Sequence, residues 1–270
     1  MTRNCVLSIL LFNVALSATA AEHSTFTYKT IGERELLAHV VSPDGHSANA
    51  EAPALIFYHG GGFRVSSPQS GFSIGEELAK HDIVMIAIEY RFLTDPATMD
   101  QIIADGKSSV RWTRENAMML GIDPNKIIAS GHSAGGYLAA AVEMLPKFNE
   151  PTENIYVSSQ PNAMVLWSPA LLTTEKRMRP QMPLNANLID FQPDQHVSKD
   201  LPPTIFIHGT ADDRVSPDVS INLNQRFVEA SVDSELWLIE GADHFFREWE
   251  FRSQVADHIL EFIRGLGYLN

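Results

Sequence analysis

The sequence predicts an α/β fold in which a mostly parallel sheet carries helices on both faces. Six apolar runs of strand length recur along the chain, at 54–59 (ALIFYH), 83–90 (IVMIAIEY), 126–130 (KIIAS), 163–167 (AMVLW), 204–208 (TIFIH) and 235–239 (ELWLI). Such runs suit strands buried on both faces, as in a parallel sheet. Helical patterns separate them, and strands alternating with helices build parallel sheets covered on two sides. The composition agrees: 44% hydrophobic with 20% charged residues over 270 positions is the balance of a globular chain with a core to bury. One large domain is the natural reading, since α/β folds often run to about 250 residues as one unit.

Taken in order, residues 26–31 and 36–41 flank Gly32 as an opening pair of strands, ended by Pro43-Asp44-Gly45. The stretch 100–120 places Ile103, Val110 and Ala117 at heptad spacing and stops at Gly121 with Pro124 just beyond, as a helix end should. A helical stretch at 136–145 follows the third apolar run. Ser216-Pro217 opens another helix, with Ser as N-cap and Pro at the first helical position. The last helix spans 249–264 and ends at Gly265. Residues 170–201 resist this scheme, carrying Pro180, Pro183, Pro193 and a basic cluster at Lys176, Arg177 and Arg179 without a clear period. A segment of that kind is a flap over a site or a solvated excursion with one short helix.

The first twenty residues read as a targeting segment. Arg3 supplies a positive start, 5–16 (CVLSILLFNVAL) is an apolar run, and Ala18-Thr19-Ala20 has the small-x-small cleavage pattern, so the mature domain is expected to be 21–270. The run falls short of the roughly 20 apolar residues that cross a bilayer, and no membrane span is expected. A secreted or periplasmic protein follows. Cys5 is the sole cysteine and would leave with the signal, so neither disulfides nor thiolate metal sites are expected in the mature chain. With 33 acidic against 20 basic residues the formal charge is −13, which argues against a nucleic-acid partner.

Gly131-His132-Ser133-Ala134-Gly135 has the form G-x-S-x-G, with an apolar strand running into it and a helix leaving it. The glycines clear space for a sharp turn that strains Ser133 and exposes its hydroxyl near a helix N-terminus, where partial positive charge favours a developing oxyanion. His59-Gly60-Gly61-Gly62-Phe63 follows the strand at 54–58. Successive glycines cost conformational entropy, and their use is close approach of backbone N–H groups to a ligand. Gly61 and Gly62, with the N–H of Ala134, are the expected donors to an ester oxygen that turns negative in a tetrahedral intermediate.

On these two motifs the chain resembles the α/β-hydrolase superfamily, and within it the HGGG-containing esterases and lipases: bacterial acetyl and carboxylesterases related to hormone-sensitive lipase. The resemblance covers essentially 25–269. It implies an eight-stranded sheet and a nucleophile, acid and histidine in that chain order. Within 208–215 (HGTADDRV) the family pattern selects Asp212 as the acid, with Asp213 the competing choice, and Gly241-Ala242-Asp243-His244 resembles the family's histidine turn. Ser133 would attack, His244 would shuttle the proton, and Asp212 would orient the imidazole. No cofactor and no metal are needed. His59, His132 and His208 read as structural residues around the site. His132 stands where hormone-sensitive-lipase relatives often carry Asp.

About thirty residues separate Ala21 from the strand bearing HGGG, too few for a helical N-terminal cap, so a minimal cap and an open site are expected. Phe63, Tyr137, Trp167 and Phe245 flank the motifs as candidate pocket walls. The expected activity is hydrolysis of a carboxylic ester through an acyl-enzyme. A small-molecule or oligosaccharide ester with a short acyl group, such as acetylated or feruloylated carbohydrate, is the expected substrate. An amide or peptide hydrolase on the same fold, and a non-catalytic binding protein that keeps the fold, are the alternatives. Oligomeric state is left open.

Overall fold

The computed structural model describes residues 21–95, 97–171 and 186–269. The expected targeting segment at 1–20 lies outside them. So do 172–185, with Lys176, Arg177 and Arg179, which hold part of the expected flap.

Eight strands form one sheet in the order β1-β2-β4-β3-β5-β6-β7-β8. β1 (Glu22–Ile31) and β2 (Arg34–Ser42) make the expected hairpin, and β2 pairs antiparallel with β4 (Val84–Ile88). From β4 onward all pairs are parallel: β3 (Ala52–Tyr58), β5 (Ile122–His132), β6 (Ala163–Trp167), β7 (Thr204–Gly209) and β8 (Ser234–Ile239). The central strands are buried along their whole length on both faces, which is why they lack polar alternation.

Helices cover both faces. α2 (Met99–Glu115), α3 (Ala117–Leu120), α4 (Ala134–Met144) and α5 (Asp218–Glu229) enclose one core with Ile56, Ala129 and Phe206, while α1 (Phe72–Ala79) and α6 (Trp249–Gly265) enclose the other with Phe57, Val165 and Ile207. Ile103, Val110 and Ala117 are buried as their spacing requires. The single helix expected over 100–120 is split at Asn116, whose backbone leaves helical geometry while its side-chain amide donates to the Trp112 carbonyl at 2.8 Å. Ser216-Pro217 shifts by one position: Pro217 is the cap residue, and the Ser216 hydroxyl accepts from the Asp218 N–H.

β8 corrects the expectation of strands buried on both faces. It is the last strand of the sheet, and Trp237 and Leu238 stay 37% and 43% exposed. Trp237 is covered on one side by the His258 ring, stacked at 3.9 Å. α1 was not foreseen, although its lead-in carried a signal: the Ser67 hydroxyl accepts from the Gln69 N–H, and Pro68 opens the 3₁₀ turn Pro68–Gly71. Within 186–201 lie two further 3₁₀ turns, Leu188–Phe191 and Pro193–His196.

α2 buries charge as well as apolar surface. Asp105 is fully buried, receiving Lys29 of β1 at 2.8 Å and a two-pronged Arg91 at 2.7 and 2.8 Å. Lys29 also meets Glu150 at 2.8 Å, so two carboxylates and two cations tie β1, the segment after β4 and the loop after α4 to one helix.

The turn from β5 into α4 packs closely against the end of β3. A methyl group on Gly135 would stand 1.9 Å from the Tyr58 carbonyl oxygen of β3. Gly135→Ala is expected to lower unfolding free energy by about 3 kcal/mol or more, because backbone cannot yield as a side chain can. Gly265→Ala, with nothing within 4 Å of the new methyl, should be neutral or stabilise by up to about 1 kcal/mol. Urea unfolding of the two variants checks this, and similar losses in both would refute it.

Candidate active site

The carboxyl ends of β3, β5, β7 and β8 carry the residues of interest to one edge of the sheet. β5 ends at His132 and α4 begins at Ala134, leaving Ser133 alone at the turn with φ 57° and ψ −117°, a conformation that costs a non-glycine residue about 1–3 kcal/mol. Backbone hydrogen bonds hold it there: the Ser133 N–H donates to the Trp167 carbonyl at 3.0 Å, and its own carbonyl accepts from Ala170 at 2.9 Å and Tyr137 at 3.1 Å.

The Ser133 hydroxyl lies 2.9 Å from His244 Nε2, and His244 Nδ1 lies 2.7 Å from Asp212 Oδ2. A carboxylate only accepts, so Nδ1 carries the proton and Nε2 is free to accept from the hydroxyl. Three residues 79 and 32 positions apart in sequence therefore form one continuous hydrogen-bonded line, with Asp212 and His244 buried. The choice between neighbouring carboxylates is resolved by direction. Asp212 turns inward, while the Asp213 side chain is 80% exposed and meets only Arg214.

Asp212 is heavily anchored. Its Oδ1 accepts from the Arg214 and Val215 N–H groups at 2.8 and 2.9 Å. Burial alone would raise its pKa, but the Val215 N–H, the His244 imidazole and the Arg214 N–H outweigh it and hold the carboxyl below the usual range. The acid and histidine loops are also stitched together directly: Ala211 N–H donates to the Ala242 carbonyl at 3.0 Å, and Gly241 N–H donates to the Thr210 hydroxyl at 2.8 Å.

Gly61 and Gly62 are exposed, with φ of 103° and 63°. Ala134 is the first residue of α4, so its N–H has no acceptor within the helix. The loop bearing these glycines leans on the nucleophile, for a methyl on Gly60 would stand 3.3 Å from Ser133 Cβ. His59 secures the loop from below, stacked on Tyr90 at 4.4 Å while the Tyr90 hydroxyl donates to the His59 carbonyl.

The candidate pocket walls divide. Trp167 and Phe245 line a cavity beside the triad. Phe63 and Tyr137 pack in the core: both are buried, their rings meet edge to face at 5.7 Å, and the Tyr137 hydroxyl donates to the Phe191 carbonyl at 2.7 Å. Their large rings follow a turn that points them under the loop, into the space between β3, α4 and the 3₁₀ turn at Leu188–Phe191.

Two histidines read as structural turn out to brace the triad. His132 Nε2–H donates to the His244 carbonyl at 2.6 Å, fixing the loop that carries the imidazole. His208, fully buried, places Nε2 at 3.0 Å from the Val215 carbonyl and 3.2 Å from Asp212 Oδ2, with Nδ1 at 2.7 Å from the Ser220 hydroxyl. Their position inside the motifs was the only sequence signal. Among the described residues no group of three His, Cys, Asp or Glu is placed to hold a metal ion, and no helix is long and apolar enough to cross a membrane.

The arrangement can activate a hydroxyl as a nucleophile and stabilise the resulting oxyanion. Comparison with known proteins bears on it. The BD-FAE family model matches residues 40–169. Thermogutta terrifontis esterase 2 in its apo form superposes with a TM-score of 0.86 at 31% identity, covering 93% of this chain and 96% of that one. The same esterase phosphoramylated by tabun gives 0.85 at 32%, with the same coverage. Among curated proteins, the probable isoprenylcysteine alpha-carbonyl methylesterase ICMEL1 of Arabidopsis thaliana is 24% identical over 71% of this chain, and carboxylesterase NlhH of Mycobacterium tuberculosis is 31% identical over 35%. This chain spans 45% and 30% of the lengths of those two.

Burial, with the neighbouring His244 acting in the same direction, pushes the His132 imidazole down to about 4. An unfolded histidine takes up its proton near 6.5, so between these values the unfolded chain binds more protons and stability falls as pH drops from about 6.5 towards 4. Urea unfolding between pH 7.5 and 4 should show a shallower decline in His132→Gln than in the parent. Equal slopes would assign the proton uptake to other groups.

Proposed function

The chain belongs to the α/β-hydrolase superfamily, and on that premise we propose that it is a serine hydrolase of carboxylic esters working through an acyl-enzyme. The observation that carries the reading is the unbroken line Ser133, His244, Asp212, with hydrogen-bonding distances of 2.9 and 2.7 Å. Ser133 Oγ attacks the ester carbonyl while His244 Nε2 takes its proton, and the imidazolium that forms is stabilised by Asp212. Gly61, Gly62 and Ala134 donate to the oxyanion. His244 then protonates the leaving oxygen, and water repeats the sequence to release the acid. The esterases named above support esters over amides, and an intact triad speaks against a non-catalytic binding protein.

We read the acyl group as short. Before β3 the described residues hold the hairpin β1–β2, which supports an open mouth on that side. Acetylated or feruloylated carbohydrate is the natural class to examine, by analogy alone. Hydrolysis of p-nitrophenyl acetate, butyrate and octanoate should favour acetate and vanish in Ser133→Ala. Asp212→Asn should lower kcat by about 10³ to 10⁴, since the amide would hold the wrong tautomer, whereas Asp213→Asn should stay close to the parent. Turnover that survives Ser133→Ala would refute the nucleophile.

We also propose export, with residues 1–20 removed. The full chain expressed in a bacterial host should yield a protein beginning at Ala21 outside the cytoplasm, as read by intact mass. A protein retaining Met1 in the cytoplasm would refute this.

A further inference from the structure

β7 carries at its end a histidine that the proposed chemistry does not use. His208 is fully buried, and both of its ring nitrogens are engaged. Nε2 stands 3.0 Å from the Val215 carbonyl and 3.2 Å from Asp212 Oδ2, while Nδ1 stands 2.7 Å from the Ser220 hydroxyl of α5. A carbonyl and a carboxylate only accept, so the ring proton sits on Nε2. Burial pushes the His208 pKa down and so favours the ring with one proton. Nδ1 is then a lone pair, and the buried Ser220 hydroxyl donates to it.

This proton closes the acid turn from both sides. Val215 gives its N–H to Asp212 Oδ1, and its carbonyl accepts from His208. Two imidazoles face Oδ2, His244 Nδ1 at 2.7 Å and His208 Nε2 at 3.2 Å. With the Arg214 and Val215 N–H groups on Oδ1, the carboxylate has N–H groups at all of its acceptor sites. His208 thus shares one oxygen with the reacting imidazole. The ionisable groups acting on it are Asp212 from its own loop and His244 from the neighbouring one, with His132 beyond. β6 contributes none, and Asp213 and Arg214 on the loop, Asp218 on α5 and Glu235 on β8 are exposed.

We propose that His208 is a positioning residue that acts through Asp212 to set how readily His244 gives up its proton, with Ser220 fixing the tautomer it needs. The inference rests on the triad reading of Ser133, His244 and Asp212. An N–H aimed at Asp212 spreads the carboxylate charge over a second donor and weakens its hold on the His244 imidazolium. His244 therefore stays available as a base at lower pH than a singly bonded carboxylate would permit.

The test uses His208→Met, which keeps bulk and loses the donor, and His208→Gln, whose amide carries an N–H at the reach of Nε2. In His208→Met the acid limb of kcat/KM for p-nitrophenyl acetate should move up by about 0.3 to 1 pH unit, the scale of a shared hydrogen bond. Below the limb that is a loss of about two- to tenfold, whereas kcat/KM on the plateau above it should change less. His208→Gln should return the limb to within about 0.2 unit of the parent. Nitrogen-15 spectra of the protein labelled in its histidines should show the His208 proton on Nε2, and the His244 ring should titrate at higher pH in His208→Met than in the parent. An unmoved limb in a His208→Met protein with a normal thermal melt overturns the proposal, as does an equal move in His208→Gln. Where His208→Met does not fold, the parent spectrum decides: a proton on Nε2 supports the assignment, and one on Nδ1 overturns it. If the parent turns over no ester, the reading of Ser133 fails instead, and the His208 and His244 ring signals still judge this proposal.

Discussion

The close approach of the β5–α4 turn to the end of β3 governs the rest of the site. Gly135 lies so near the Tyr58 and His59 carbonyls that no side chain fits between them. That approach draws α4 across the strand ends and leaves Ser133 as the residue that absorbs the bend at positive φ. It also brings the HGGG loop against Ser133, so the N–H groups of Gly61, Gly62 and Ala134 come from two segments that a single packing contact holds together. The strain on Ser133 persists because the hydrogen bonds to Trp167 and Ala170 determine its backbone on both sides.

Around the nucleophile the protein arranges neutral imidazoles in layers. Burial pushes His59, His132 and His208 towards the uncharged form. Each uses its ring as a brace: His59 under the oxyanion loop, His132 under the His244 carbonyl, His208 beside the Asp212 carboxylate. A carboxylate held ionised by two backbone N–H groups, next to histidines kept neutral, gives the reacting imidazole one charged neighbour and no competing cation among these three. In the proposed mechanism this division of charge would let Asp212 stabilise the imidazolium without taking its proton.

The two faces of the sheet serve the site differently. On the α4 side the space beneath the oxyanion loop is filled by Phe63, Tyr90 and Tyr137, whose mutual edge-to-face contacts make a rigid floor. On the α1 and α6 side the packing is incomplete, and the gap between Phe57, Trp167 and Phe245 is open to a ligand. Four aromatic residues that look alike beside the motifs thus separate into support and lining, according to the face onto which each backbone turns it.

Much was legible from residues alone. Apolar runs too continuous for a half-exposed strand identified the central strands, because burial on both faces removes the need for polar positions. Gly131, Gly135 and the run Gly60 to Gly62 marked the turn at Ser133 and the loop against it, because a side chain on Gly131, Gly135 or Gly61 would run into backbone and Gly62 sits at positive φ. Single-residue geometry and sheet position were not legible. Asp212 and Asp213 are adjacent and chemically identical, and only the loop's path, anchored by the Arg214 and Val215 N–H groups, sends one inward. β8 reads like its neighbours and is half exposed, because nothing in its own residues records that it comes last in the sheet. His132 and His208 gained their roles from partners 112 and 12 positions away. Such contacts depend on where the fold brings distant backbone, and local residue patterns carry no record of that.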